Sequence, residues 1–358
     1  CMYPLLLPFS WIYDAVTRLR NMLFDCGVLK QRSFPLPVIA VGNLAVGGTG
    51  KTPHTEYLLR LLGRQCHTAM LSRGYGRRSK GFRQAADGLT ASDIGDEPLQ
   101  MWQKYPHVTV AVDENRCEGI ENLLALRGEE AIETIVLDDA YQHRYVKAGL
   151  YILLTDYSRR YSHDCLLPAG RLREARRGAR RAQVIVVTKC LPDMTVAERK
   201  KICRELRPRK EQKIFFTTLG YSPLHLLFGK RMAGQPVQGT HALVITGIAR
   251  PEPLHRHLRQ QGMTVHPLVF PDHHAFTVAD IEKINKAFGK LPENRIAVTT
   301  EKDGTRLMPF ASQMDRELKR TFCMQPIEIK FIDTQEENEF NQIIIDYVTE
   351  NKRNSRMD

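Results

Sequence analysis

The chain has 358 residues, of which 42% are hydrophobic and 26% are charged, a size and composition that allow two packed cores and exclude a disordered protein. Its formal net charge of +12 predicts an anionic partner, which could be a phosphorylated substrate, a lipid headgroup surface or a nucleic acid. The eight cysteines include no C-x-x-C pair, so we expect neither a zinc site nor a disulfide framework, and no apolar run reaches the roughly 18 residues that span a bilayer.

The first predicted element is a helix within residues 1–35. Pro8 can begin this helix, and apolar residues then recur at steps of three and four positions. These residues are Phe9, Ile12, Tyr13, Val16, Leu19 and Leu23. An amphipathic helix with aromatic and leucine side chains beside arginines can lie in the headgroup region of a membrane, and the same pattern also fits a helix that packs on the protein's own core. We predict membrane association for this segment and keep the second interpretation open.

From residue 37 onward, short apolar and β-branched runs alternate with helical stretches, which is typical of an α/β protein with a mostly parallel sheet. The predicted strands cover residues 37–41, 68–72, 108–112, 134–138, 150–155 and 183–188. Several of them are almost entirely apolar, as strands buried on both faces are. We therefore assign residues 36–220 to one core domain.

A second, smaller α/β domain is predicted for residues 221–358. Its predicted strands cover residues 242–246, 264–270, 296–300 and 327–332. The segment 220–239 contains several glycines and prolines among short apolar runs, which favours a linker. The last helix, near residues 335–350, either belongs to this second domain or returns to the core domain.

A glycine-rich turn follows the first strand and precedes a helical stretch. The turn reads Gly47-Gly48-Thr49-Gly50-Lys51-Thr52-Pro53. Glycines allow several backbone N–H groups to point at phosphate oxygens, and the helix N-terminus adds a favourable dipole. Lys51 would reach the β- and γ-phosphates and the Thr52 hydroxyl would bind Mg²⁺, although Ala45 stands where this motif usually begins with glycine. The sequence thus predicts a P-loop NTPase-like core with ATP and Mg²⁺ as its ligands.

Two acidic pairs are candidates for the chemistry around these phosphates. Asp138 and Asp139 follow a predicted buried strand, where a cation would offset their charge, and either of them could instead cap a helix. Asp96 and Glu97 stand in a Gly-Asp-Glu-Pro sequence at a predicted loop-to-helix junction. An acid at that junction can accept the proton of a hydroxyl that is being phosphorylated, or it can be an ordinary residue of a first helical turn.

Further short motifs accompany the P-loop and the Gly-Asp-Glu-Pro sequence. They are Leu-Leu-Pro-x-Ser-Trp-x-Tyr (6–13), Ser-Arg-Gly-Tyr-Gly (72–76), Asp-Asp-x-x-Gln-His (138–143), Leu-Pro-Ala-Gly (167–170), Thr-Lys (188–189), Asp-His (272–273) and Thr-Glu-Lys-Asp (300–303). With these motifs in this order, the chain resembles the tetraacyldisaccharide 4'-kinase family over nearly its whole length. It departs from that family at Ala140, where glycine is usual, and at Arg171, where proline is frequent.

The resemblance implies a magnesium-dependent kinase that phosphorylates the 4'-hydroxyl of a tetraacyldisaccharide 1-phosphate with ATP, forming lipid IVA and ADP in lipid A biosynthesis. It implies a peripheral protein on the cytoplasmic face of the bacterial inner membrane. The expected partners are the acidic glycolipid substrate and the membrane surface, with no nucleic acid. The resemblance also makes Asp96 the catalytic base, assisted by His273 from a second domain that closes over the cleft.

Other polar residues receive expected roles from the resemblance as well. Lys51 is expected to take part in catalysis in addition to binding the nucleotide. The candidate magnesium ligands are Thr52, Glu97, Asp138 and Asp139, with no separation of the roles of the two adjacent aspartates. The candidate substrate-binding residues are Arg73, Arg116, Gln142, His143 and Arg171.

Two other functions compete with this interpretation. A P-loop ATPase or GTPase of the partitioning or metal-insertion type would use hydrolysis as a conformational switch and would need no base such as Asp96. A nucleic-acid-binding module would interleave aromatic residues with its basic residues. Only Tyr157 and Tyr161 do so in the basic cluster near residues 159–181, which argues against nucleic acid.

Overall fold

The computed structural model describes residues 3–229, 238–272 and 274–354. The described helices are α1 (Leu7–Asp25), α2 (Lys51–Leu62), α3 (Ala91–Ile94), α4 (Asp96–Lys104), α5 (Arg116–Leu124), α6 (Val196–Leu206), α7 (Glu252–Gln260), α8 (Val278–Gly289), α9 (Glu301–Leu307), α10 (Arg316–Thr321) and α11 (Thr334–Asn354). The described strands are β1 (Val38–Asn43), β2 (Thr68–Ser72), β3 (Arg83–Gln84), β4 (Thr109–Val112), β5 (Thr134–Leu137), β6 (Leu150–Asp156), β7 (Val184–Thr188), β8 (Lys213–Tyr221), β9 (His225–Leu226), β10 (His241–Thr246), β11 (Thr264–Val269), β12 (Arg295–Thr300), β13 (Phe322–Gln325) and β14 (Ile327–Phe331). The chain divides into two compact units, one of residues 1–219 with 329–358 and the other of residues 220–328.

The first unit is built on a nine-stranded sheet with the strand order β14-β8-β7-β6-β1-β5-β2-β4-β3. From β8 to β4 each neighbouring pair is parallel, and β3 pairs antiparallel with β4. Every residue of β1 and of β5 is buried, which explains why their sequences are so apolar. The predicted α/β class with a mostly parallel sheet is confirmed.

Alternate residues of β1 face two different cores. Ile39 packs in a cluster with Leu58 and Leu59 of α2. Val38 packs in a second cluster with Ile120 of α5. Because successive side chains of a strand point to opposite faces, these two clusters place helices on both faces of the sheet.

The C-terminal helix packs in the core of the first unit. Phe340, Ile344 and Val348 of α11 are buried in the same cluster as the apolar face of α2. The Tyr57 hydroxyl of α2 also donates a hydrogen bond to Glu337 Oε1 at 2.8 Å. The sequence left the place of this helix open, and long-range packing of this kind decides it.

The second unit contains a five-stranded sheet with the order β11-β10-β12-β13-β9. Its pairs are parallel except for the antiparallel pair of β13 with β9. Four strands of the two sheets were not predicted, namely β3, β8, β9 and β13. β8 has half-buried residues at both ends, which weakens its apolar pattern, and β9 has two residues inside the segment that its glycines and prolines marked as a linker.

Helix α1 lies on the first unit through polar contacts and not through its apolar stripe. The Ser10 hydroxyl donates to Leu166 O at 3.0 Å, and the Tyr13 hydroxyl donates to Arg173 O at 2.8 Å. Six apolar side chains of the helix are 51–69% exposed, namely Phe9, Trp11, Ile12, Val16, Leu19 and Met22. A helix that buries this stripe in the protein's own core is therefore the wrong interpretation of the pattern, and membrane association stays a prediction.

Two further expectations concern helix length and cysteines. Within the described ranges, no helix combines the length and the apolar character needed to cross a membrane. Cys165 is disulfide-bonded, and a single such bond is not the disulfide framework that the cysteine pattern argues against. Six other described cysteines form no disulfide, namely Cys26, Cys66, Cys117, Cys190, Cys203 and Cys323.

Candidate active site

The glycine-rich turn joins β1 to α2, as the sequence predicts. Gly47 and Gly50 have φ values of 110° and 84°, a left-handed backbone that glycine adopts readily, and Gly50 is the N-cap of α2. The Asn43 side-chain amide donates to the Thr49 hydroxyl at 2.7 Å in the protein interior. The first N–H groups of a helix have no partners within it, so α2 presents free donors at the end of this turn, where phosphate oxygens can bind.

Ala45 replaces the usual first glycine of the motif without strain. It forms an antiparallel bridge with Leu172, and beside it the Val46 N–H donates to Arg171 O at 2.8 Å. The Arg173 N–H donates to Leu44 O at 2.7 Å. An extended residue does not need the conformational freedom of glycine, so alanine is accommodated. Residues 171–173 thereby form one wall of the phosphate-binding turn.

Lys189 supports the same turn from β7. Its ammonium donates to Gly48 O and lies 2.9 Å from Asp156 Oδ2. The Thr188 hydroxyl donates to Thr49 O at 2.8 Å. Lys189, the second residue of the Thr-Lys motif, therefore lies against the backbone of the phosphate-binding turn.

The imidazole of His54 is a structural part of α2. Its Nδ1 lies 2.7 Å from Gly50 O and its Nε2 lies 3.0 Å from the Thr217 hydroxyl. Complete burial lowers the pKa of His54 to about 4. The ring is therefore neutral near pH 7 and holds the first turn of α2 against β8.

Asp138 and Asp139 have different surroundings although they are adjacent. Asp138 is buried and accepts a hydrogen bond from the Thr55 hydroxyl of α2 at 2.9 Å. Burial, together with the nearby carboxylates of Glu97 and Asp139, raises the pKa of Asp138 to about 7. Asp138, Asp139 and Glu97 thus form one group of neighbouring carboxyls, called the acidic group below.

Asp139 instead reaches the cations of the site. Its carboxylate lies 3.6 Å from Lys51 Nζ and 3.3 Å from Arg173 Nη1. Its backbone has a φ of 46°, a left-handed turn that directs the chain away from β5. No helix begins directly after this pair, since none of residues 138–149 is helical, so the helix-cap interpretation of the two acids is wrong.

Asp96 and Glu97 occupy the first turn of α4, and the N-cap of that helix is Gly95. Gly95 has a φ of 93°, and a Cβ atom there would lie 3.0 Å from Tyr75 O. A Cβ atom at Gly74 would likewise lie 2.9 Å from Ile94 O. The close contact of these two loops requires both glycines, which explains why Ser-Arg-Gly-Tyr-Gly and Gly-Asp-Glu-Pro occur together. Glu97 belongs to the acidic group of Asp138, since it contributes to the raised pKa of Asp138.

A basic group, formed by Arg20, Arg73, Arg116 and His143, lies beside the acidic group of Asp138. Arg116 is buried at the start of α5, its Nη1 donates to Asp113 O at 2.7 Å, and burial lowers its pKa to about 10. Burial also lowers the pKa of His143 to about 4, with further contributions from Arg116, Arg20 and Arg73. Arg20 of α1 was not predicted, and its guanidinium donates to Gln142 O at 3.2 Å.

The remaining candidate substrate residues differ in their contacts. The Gln142 side-chain amide donates to Asn43 O at 2.7 Å, at the end of β1. Arg171 lies at the wall of the phosphate-binding turn, where its backbone N–H donates to Asp164 Oδ1 at 3.2 Å. The structure thus brings Arg73, Arg116 and His143 together and places Gln142 and Arg171 against the P-loop.

The donor set fits Mg²⁺ better than a metal held entirely by protein. In the described ranges, no three His, Cys, Asp or Glu side chains are arranged to hold a metal ion. Mg²⁺ is usually bound by one or two carboxylates together with substrate phosphates and waters, so a preformed cage is not needed. The raised pKa of buried Asp138 marks the place where a cation would offset negative charge.

His273, the histidine expected to assist Asp96, lies outside the described residues. The adjacent His274 stacks on Phe270 with ring centroids 4.9 Å apart, and its Nε2 lies 2.9 Å from Asp280 Oδ2. The hydrogen bond from His274 is the largest cause that lowers the pKa of Asp280 to about 2. His274 therefore has a structural role at the start of α8, in the second unit.

The chain is similar to known proteins over almost its whole length. A family model described as Tetraacyldisaccharide-1-P 4'-kinase matches residues 2–348. The tetraacyldisaccharide 4'-kinase of Bacteroides thetaiotaomicron is 48% identical over 363 residues, covering 98% of this chain and 94% of that relative. The protein of the same name from Phocaeicola vulgatus is 48% identical over 354 residues, covering 98% and 96%. A crystal structure of LpxK from Aquifex aeolicus in complex with ATP has a TM-score of 0.72 at 28% identity, covering 96% of this chain and 98% of that one.

Proposed function

The chain belongs to the tetraacyldisaccharide-1-P 4'-kinase family, and we propose from this that it transfers the γ-phosphate of ATP to the 4'-hydroxyl of a tetraacyldisaccharide 1-phosphate. The products are lipid IVA and ADP. The observation that carries the proposal is the glycine-rich turn with Lys51 beside Asp139, in a chain similar to such kinases over 98% of its length.

Lys51 and the N-terminus of α2 bind the phosphates of ATP. The Lys51 ammonium, now 3.6 Å from Asp139, is positioned to pair with the β- and γ-phosphates. Fixed cations and N–H groups that face the transferred phosphoryl group stabilise its charge in the transition state without reorganisation. Lys189 keeps the turn in this shape through Gly48 O.

The residues that would hold Mg²⁺ are Thr52, Glu97, Asp138 and Asp139. The assignment of the three acids is supported by the raised pKa of Asp138, which burial and the nearby carboxylates of Glu97 and Asp139 cause. When bound, Mg²⁺ would neutralise charge on the phosphate oxygens.

Asp96 accepts the proton of the attacking sugar hydroxyl. It precedes Glu97 in the first turn of α4, and the electrostatic effect of Glu97 on Asp138 supports a position of this turn near the phosphates. His273 assists Asp96, an assignment that rests on the family motif. A carboxylate and an imidazole acting as a pair can pass the proton on to solvent.

The acidic glycolipid substrate binds to the basic group, and helix α1 contacts the membrane. Arg73 and Arg116 contact a phosphate of the acidic glycolipid, which fits their effect on the pKa of His143. The exposed apolar side chains of α1 contact the inner membrane from its cytoplasmic face. The protein thereby takes its substrate directly from the bilayer surface.

The test of this proposal is transfer of labelled phosphate from γ-labelled ATP, with Mg²⁺, to a tetraacylated disaccharide 1-phosphate in detergent micelles. The wild type is compared with Lys51→Ala. We expect labelled lipid only from the wild type. Hydrolysis of ATP without labelled lipid would refute the kinase and would favour a switch ATPase.

A further inference from the structure

A cavity of about 690 Å³ lies in the first unit, between the second half of α1 and the turn at residues 175–181. Its volume is within the range of small-molecule sites. The charged residues that line it are Arg18, Arg144, Arg177, Arg180, Arg181, Arg209 and Asp25. Six arginines and one carboxylate make this cavity strongly positive, and no residue of the P-loop or of the two acidic pairs lines it.

Three of these arginines are held by neighbouring groups, and the first is Arg18, which pairs with Asp14 one turn earlier in α1. Arg144 donates to Asn21 O at 3.0 Å and pairs with Asp25 at 2.6 Å. Arg181 pairs with Glu174 at 2.6 Å, and its guanidinium lies over the Tyr141 ring at 4.6 Å. These contacts build rigid walls that do not depend on a ligand.

The other three arginines form no ion pair among the described residues and leave their charge available. Arg177, Arg180 and Arg209 are exposed, and none of them makes an ion pair or a side-chain hydrogen bond among the described residues. Guanidinium groups that line one cavity and have no carboxylate partner of their own repel each other, and an anion between them would reduce that repulsion. Planar guanidinium groups match phosphate oxygens with pairs of N–H donors, so phosphate is the anion that this arrangement favours.

Apolar side chains accompany these arginines. Leu19 and Met22 of α1 line the cavity and are 54% and 51% exposed. Trp11 lies seven residues before Arg18, on the same face of the helix, and is 69% exposed. Indole rings favour the interface between headgroups and acyl chains. The expected ligand therefore carries a phosphate and an apolar part together.

The cavity and the candidate active site lie on different sides of α1. Arg20, which donates to Gln142 O beside the catalytic groups, does not line the cavity, whereas Arg18 and Met22 do. On a helix, residues two positions apart face in nearly opposite directions. The cavity thus shares no lining residue with the candidate site of phosphate transfer.

We propose that this cavity binds the phosphate of an anionic phospholipid headgroup while the acyl chains contact Trp11, Leu19 and Met22. Free inorganic phosphate shares the anionic chemistry, but it would leave the apolar side chains without a role. The phospholipid is bound as a ligand and not as the acceptor of phosphate transfer. The site would make the protein prefer acidic membranes over neutral ones.

The experiment measures co-sedimentation of the full chain with phosphatidylcholine vesicles that contain phosphatidylglycerol, without ATP or sugar lipid. The double variant Arg177→Gln/Arg180→Gln is expected to partition roughly 30-fold more weakly, on the basis of the usual contribution of each basic residue at an acidic surface. Arg209→Gln, in a separate segment, should weaken partitioning roughly fivefold. Thermal unfolding confirms folding, which these exposed side chains should not affect.

The control is Arg64→Gln/Arg204→Gln, which removes two exposed arginines elsewhere in the first unit and gives the same net charge. Partitioning close to that of the wild type is expected for this control. Equal weakening of both double variants would show that membrane partitioning depends only on the net charge of the protein, and this would overturn the proposal. Titration with soluble short-chain phosphatidylglycerol and with inorganic phosphate separates the two sources, and equal affinity for both would overturn the lipid assignment. These binding experiments do not involve phosphate transfer. A protein without kinase activity can therefore still bind phospholipid in this cavity.

Discussion

Replacing Asp138 with asparagine should remove a pH-dependent destabilisation of the fold. Burial, together with Glu97 and Asp139, raises the pKa of this carboxyl to about 7. The folded chain therefore holds the proton more tightly than the unfolded chain, whose aspartate has a pKa near 3.9. The contribution of this carboxyl to the free energy of unfolding is fully present below the unfolded pKa and is lost as pH rises through about 7. A difference of about three pKa units corresponds to about 4 kcal/mol, so Asp138→Asn should gain up to that amount on the wild type between pH 4 and pH 8.

The assay is urea unfolding of both proteins from pH 4 to pH 8, followed by a probe in the first unit. Asp193→Asn is the matched control, because it makes the same substitution at an exposed aspartate of the same unit. Parallel curves for wild type and Asp138→Asn would show that this carboxyl does not titrate in the folded chain in this range. Added Mg²⁺ and ATP should reduce the difference, since a cation beside Asp138 favours its charged form.

Three other changes test separate parts of the site. Asp96→Ala should leave ATP affinity unchanged and lower turnover by roughly 10², as for loss of a general base, and an unchanged rate of lipid labelling would exclude that role. Lys189→Met removes the ammonium that binds Gly48 O and Asp156, so ATP should bind roughly tenfold more weakly in an equilibrium titration. Equal affinity would show that the turn keeps its shape without Lys189. Deletion of residues 2–24 should lower co-sedimentation with liposomes, and undiminished binding would exclude α1 as the membrane contact.

The phosphate-binding turn could be predicted because its determinants are contiguous. A buried strand, left-handed glycines and a helix follow one another within residues 38–62, and each is a local property of the chain. The groups that hold the turn could not be predicted in the same way. Arg171 O and the ammonium of Lys189 reach it from distant segments, and their positions depend on how β1, β6 and β7 pair. Arg20 was missed for the same reason, since only the docking of α1 brings it to Gln142.

The same reasoning explains why the two adjacent aspartates could not be separated from the sequence. Their difference lies in their neighbours, the Thr55 hydroxyl for Asp138 and the cations Lys51 and Arg173 for Asp139. The bond from Thr55 ties the end of β5 to α2, the helix that also carries Lys51, so Asp138 fixes the spacing between the acidic group and the phosphate-binding lysine. Asp139 lies against that lysine, and arrival of a phosphate would draw the ammonium away and leave the carboxylate in need of another cation. We therefore expect Asp139 to be the more direct metal ligand and Asp138 to position it.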